Sequence, residues 1–142
     1  MKKYYQRNDL IDLLIEKKEE MDINILKYNK TKNYKYVDEV GPNLRQICKI
    51  IYKYTEYAKK LNNLLDEEKD EIFGENYMKE IFNFVIEKYR NVYNSIIDHY
   101  NRTHSQYDNS RFDYMKKTYE EYMIPISYRL NIEIPYEHDA LN

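Results

Sequence analysis

The chain has 142 residues, 34% of them charged, and a net charge of −2. That length allows one domain with a core of its own, and the charge balance excludes both a polybasic tail and an acidic nucleic-acid mimic. Two glycines and three prolines are too few for a many-turned β fold, and no glycine-rich phosphate loop or GxSxG elbow can be written with them.

The single cysteine, Cys48, can form neither an internal disulfide nor a cysteine-based zinc site, which fits a reducing compartment. The basic start MKKYYQR is not followed by an apolar stretch, so no signal peptide is expected, and no apolar run approaches a membrane span. Lys, Asn, Ile and Tyr are abundant, which points to an AT-rich genome. Codon bias does not explain 18 Tyr against 4 Phe. Tyrosine combines a rigid apolar ring with a polar tip, so it suits half-buried seams and contact surfaces. Charge is uneven along the chain. Residues 1–61 hold 14 cations and 9 anions, net +5, and residues 62–142 hold 9 and 16, net −7.

In chain order, a first helix is expected over about 9–28, capped by Asn8 or Asp9 and buried along Ile11, Leu14, Met21, Ile25 and Tyr28. The segment 29–42 breaks that period and reads as a basic loop or a short strand at 34–37. Gly41-Pro42 punctuates it, with Pro42 placed in the first turn of a second helix. That helix has the cleanest seam in the chain: Leu44, Ile47, Ile51, Tyr54, Ala58, Leu61 and Leu65 alternate steps of three and four. The run 66–71 either starts a new acidic turn capped by Asp66 or continues the second helix to Phe73, and Gly74 closes the segment.

A long central helix spans 76–102. Phe82, Val85, Tyr89, Val92 and Ile96 form one apolar row, and Ile86, Tyr93, Ile97 and Tyr100 a second beside it. After a loop at 103–109, Ser110 caps a fourth helix that buries Phe112, Met115, Tyr119, Tyr122 and Ile126 until Pro125 stops or kinks it. From Ile126 to Ile134 apolar and polar residues alternate, the signature of an extended strand. After Pro135 the tail 135–142 is expected to be disordered.

No catalytic constellation emerges. His99 and His104 are five apart, which does not suit a helical metal pair, and His99 continues the first row of the central helix. The acidic run 66–71 lacks the spacing and central glycine of a calcium loop. No cofactor, metal or catalytic residue is therefore expected.

Two surfaces are candidates for contact. On the second helix Arg45, Lys49, Lys53 and Lys60 share the side opposite the apolar seam, flanked by Tyr52 and Tyr57, and could track a phosphate backbone and stack on bases. In the alternating segment Ile126, Tyr128, Leu130, Ile132 and Ile134 could add an edge to a partner.

The sequence thus predicts a mostly α fold over 1–134: a compact bundle of about four helices with a short β-strand or hairpin element near the C-terminus. The expected function is non-enzymatic: a small protein-interaction module, such as a phage or viral inhibitor of a host factor, in the cytoplasm (the host's, if viral). The alternative is a nucleic-acid-binding accessory subunit. A protein partner leads, RNA or DNA is second, no membrane is expected and homo-oligomerisation stays open.

Overall fold

The computed structural model describes residues 7–59 and 65–134. Among the described residues six α-helices and one π-helical turn follow in order: α1 (Arg7–Thr31), α2 (Lys35–Lys59), α3 (Asp66–Phe73), α4 (Glu75–Thr103), α5 (Tyr107–Thr118), the π turn (Tyr119–Met123) and α6 (Ile124–Leu130). The mostly helical class is as expected. Among the described residues there is no strand.

The α1–α2 and α4–α5 connections are short and use the same chemistry. At the first, Thr31 Oγ1 donates to the Lys27 carbonyl and accepts from the Asn33 N–H, Lys32 takes a left-handed φ of 57°, and the Asn33 side-chain oxygen accepts from the Lys35 N–H. At the second, Thr103 Oγ1 donates to the His99 carbonyl and accepts from the Ser105 N–H, His104 takes φ 52°, and Ser105 Oγ accepts from the Tyr107 N–H. Each turn satisfies the orphan groups of one helix end and the next helix start within a few residues. The fourth helix thus begins at Tyr107, capped from Ser105, rather than at Ser110. Gly74, at φ 73°, ends α3 with its N–H on the Asp70 carbonyl, and Asp70 Oδ1 accepts from the Asn76 N–H at the start of α4.

Three expectations are corrected. First, 34–37 is not a strand or loop: α2 begins at Lys35 and runs through Gly41-Pro42. Val37, Val40, Leu44, Ile47, Ile51, Tyr54 and Ala58 are all buried, so the seam begins more than one turn before Pro42 and its burial offsets the lost backbone bond. Second, Leu65 is exposed, because the chain has left α2 before it; Leu61 lies outside the described residues. Third, the strand expected at 126–134 is not formed. Ile126 and Leu130 are both buried four residues apart on α6, a relation that alternation and a helical face share. Asn131, at φ 55°, closes α6, with the Ile132 N–H donating to the Ser127 carbonyl. The expected tail at 135–142 lies outside the described residues.

Pro125 does not stop the last helix. The Ile124 N–H donates to the Tyr119 carbonyl, five residues back, so the backbone widens into a π turn just before the proline ring. The core position after Tyr119 accordingly passes from Tyr122, half-buried, to Met123, fully buried.

The core is one cluster. α4 supplies Met78, Ile81, Phe82, Val85, Tyr89, Val92, Tyr93 and Ile96, packed against the α2 seam, Leu10, Leu14 and Met21 of α1, and Met115, Tyr119, Met123 and Ile126 of the last helical run. Tyrosines of this core pair their hydroxyls: Tyr89 donates to the Met115 carbonyl, and Tyr54 to Glu75 Oε1 at 2.9 Å. Cys48 is fully buried and burial pushes its thiol up to about 12.

Candidate functional site

One buried polar cluster ties α2, α4 and α5 together. Asp108, in the first turn of α5, is 0% exposed. Its Oδ2 accepts from His99 Nδ1 of α4 at 2.7 Å, and its Oδ1 from Arg111 Nη1 at 2.7 Å. Arg111 also forks onto Asp38 of α2, with Nε–Oδ1 at 2.5 Å and Nη2–Oδ2 at 3.0 Å. Tyr34 stacks on His99, ring centroids 4.1 Å apart, and Arg111 lies over the Tyr34 ring at 4.6 Å. Burial pushes the Tyr34 phenol up to about 12, the Ser95 side chain opposing, and its hydroxyl makes no hydrogen bond of good geometry.

The cluster pairs a carboxylate with an imidazole, as a general base would need. Among the described residues no three His, Cys, Asp or Glu side chains converge to hold a metal. The cluster's geometry is that of a clamp. His99 is thus half-buried and hydrogen-bonded rather than a plain apolar seam residue; its spacing of nine from Asp108, across a turn, carried no recognisable signal.

The basic stripe on α2 is divided. Arg45 is folded inward: it donates to Thr118 Oγ1 at 3.2 Å, reaches Glu121 at 3.5 Å, and lies over the rings of Tyr114 and Tyr122. Tyr52 is half-buried between Tyr122 and Arg129. Tyr57 packs half-buried against the core. Lys49 and Lys53 are exposed, and Lys60 lies outside the described residues.

The 126–134 set is also split. Ile126 and Leu130 are core, Ile132 and Ile134 pack half-buried against it, and Tyr128 is 82% exposed. These residues do not form one outward face.

A different surface does. α1 buries Leu10, Leu14 and Met21 on one side and carries Ile15, Ile23 and Leu26 on the other, 38%, 51% and 54% exposed. With Glu19 between them these positions step by four, four and three, a row of about 16 Å along the helix. Ile15 also forms the wall of a groove between α1 and α4, about 370 Å³, floored by Tyr77, Ile81 and Phe84 and rimmed by Lys18, Glu19 and Glu80. Lys18 and Lys88 lie over the Phe84 ring at 4.6 and 5.2 Å. Burial raises the Tyr77 phenol, with Lys18 opposing. Lys17 and Lys18 pair within the helix, with Glu20 and Asp22, whereas Asp12, Glu16 and Glu19 are exposed and carry no ion pair among the described residues.

The stretch DINIL conceals this row from a reading of the sequence. Ile23, Ile25 and Leu26 cannot share one face of a helix, and a search for the buried seam keeps Ile25 and passes over the other two.

Among the described residues no helix is long and apolar enough to cross a membrane. No family model, curated protein or solved structure matches the chain.

Proposed function

We propose that the protein is a non-enzymatic interaction module that docks another protein on the outer face of α1. The observation that carries this reading is the exposed row Ile15, Ile23 and Leu26, opposite the buried seam of the same helix and continuous with the α1–α4 groove. A helix apolar on two sides loses solvation free energy on the second side unless something covers it. The occupant that fits is an amphipathic helix laid along α1, with apolar residues at three- and four-residue spacing. Its rim is basic, because Asp12, Glu16 and Glu19 border the row without an ion pair among the described residues. The size and AT-rich composition of the chain suit an inhibitor of a host factor carried by a phage or virus.

The test is affinity capture of a stoichiometric partner with the native chain and with Ile23→Asp/Leu26→Asp. The exposed double variant keeps its fold, read by circular dichroism, and loses the partner. A partner retained by the variant removes α1 from the interaction.

A second reading, contact with nucleic acid, keeps the exposed Lys49 and Lys53. It requires affinity for single-stranded RNA or DNA that falls steeply with salt and disappears in Lys49→Glu/Lys53→Glu. Absence of binding at low salt ends it.

A further inference from the structure

A second cavity lies where four helices meet, at the N-terminal end of α4. It measures about 250 Å³ and is lined by Thr55 and Ala58 of α2, Lys69 of α3, Glu75 of α4, and Arg129 and Leu130 of α6. Arg45 and Arg111 each sit on a carboxylate; Arg129, half-buried, has none among the described residues. Its Nη1 is fixed by the Tyr52 carbonyl at 3.3 Å and by Thr55 Oγ1 at 3.2 Å, and its guanidinium lies over the Tyr52 ring at 4.5 Å. Thr55 is itself held, its hydroxyl donating to the Tyr52 carbonyl at 2.9 Å. The Arg129 fork is therefore oriented by one end while its Nε and Nη2 edge makes no bond among the described residues. Lys69, half-buried on the same cavity, has no ion pair among them either. The acid on the wall, Glu75, is already engaged: it accepts from the Tyr54 hydroxyl at 2.9 Å and stands 3.9 Å from Lys79.

We propose that this cavity binds a phosphate group, as the free ion or as the head of a small phosphomonoester. Two partly desolvated cations against the single carboxylate of Glu75, itself held by Tyr54 and Lys79, leave the lining net positive and favour an anion, and a planar guanidinium held at one edge matches two phosphate oxygens with the other. Ala58 and Leu130 leave an apolar floor for a few carbon atoms beyond the phosphate. Lys69 supplies the point charge and Arg129 the direction. The site is separate from the outer face of α1, so its occupancy does not depend on the docking reading above.

Titration of the whole chain with inorganic phosphate and with glycerol phosphate, at ionic strength fixed by chloride and followed by nitrogen–proton NMR, tests the assignment. Saturable shifts of the Arg129 Nε–H signal are expected with phosphate and absent with chloride. Tighter binding of glycerol phosphate identifies an ester as the ligand; equal or weaker binding identifies the free ion. Lys69→Gln, a half-buried surface change, weakens binding about tenfold, the share of one charge-assisted contact, and Arg129→Gln abolishes it. Should Arg129→Gln fail to fold, Lys69→Gln decides alone. Shifts indistinguishable from those in chloride, or native affinity in Lys69→Gln, overturn the proposal.

Discussion

At the scale of single residues, Asp108 is the most demanding side chain. It is fully buried, accepts from His99 and Arg111, and so holds a charge out of water by two charge-assisted bonds. Asp108→Ala leaves Arg111 and His99 without their buried partner and should cost about 3–5 kcal/mol in urea unfolding. Asp38→Ala removes the exposed end of the same network and should cost about 0–1 kcal/mol; equal losses at the two positions would show that the clamp is not organised around Asp108. Cys48 and Tyr34 contribute to the alkaline limit, alongside Tyr54, whose phenol burial and Glu75 push up further. Burial moves Cys48 and Tyr34 from 9.0 and 10.0 to about 12, so the folded chain keeps these protons where the unfolded chain gives them up. The unfolded state then binds fewer protons, and stability is full below pH 9 and falls as pH rises from 9 to 12. The unfolding midpoint followed across that range tests this, and Cys48 should react with a thiol reagent at pH 8 only as fast as the chain opens. The burial of Cys48 was legible from its place beside the α2 seam. The Asp108 cluster was not, because no short-range spacing encodes a bond between residues on either side of a turn.

At the scale of elements, the apolar periodicity of α4 gave its bounds to within a residue at each end, and α1 to within two or three. Seams long enough to bury a face declare themselves regardless of the breakers near them. The misreadings cluster at proline. Gly41-Pro42 looked like a helix start, yet Val37 and Val40 already belong to the same seam. A proline there still removes a donor that the Asp38 carbonyl would otherwise meet. Pro42→Ala should therefore raise stability by about 1–3 kcal/mol, read as a higher urea midpoint; a lower midpoint would mean that the proline fixes a bend the core needs. In the segment after Pro125, alternation over 126–130 fits either period, and burial of Ile126 with Leu130 decided for the helix.

At the scale of the whole molecule, the three-four seams specified a helical bundle, but not which outward residues act together. That depends on which faces the neighbours leave open. Arg45 and Tyr52 looked outward by helical angle and were covered by the last helical run, whereas the α1 row was left uncovered. The Ile23→Asp/Leu26→Asp variant should accordingly unfold within about 0.5 kcal/mol of the native chain, as surface changes do. A large loss would assign that row to the core instead. The π turn has a consequence on the same scale. It holds one residue more than an α-helical path would, and so takes up that residue without the rotation of about 100° that it would otherwise impose on everything after it. Removing one residue from 119–123 should therefore convert the turn to a regular α-helix and leave Ile126 and Leu130 in the core, read as an unchanged unfolding midpoint, whereas removing one from the regular stretch 107–118 should rotate them out and lower it. In the π turn the chain has a residue to spare; before it, the length is fixed.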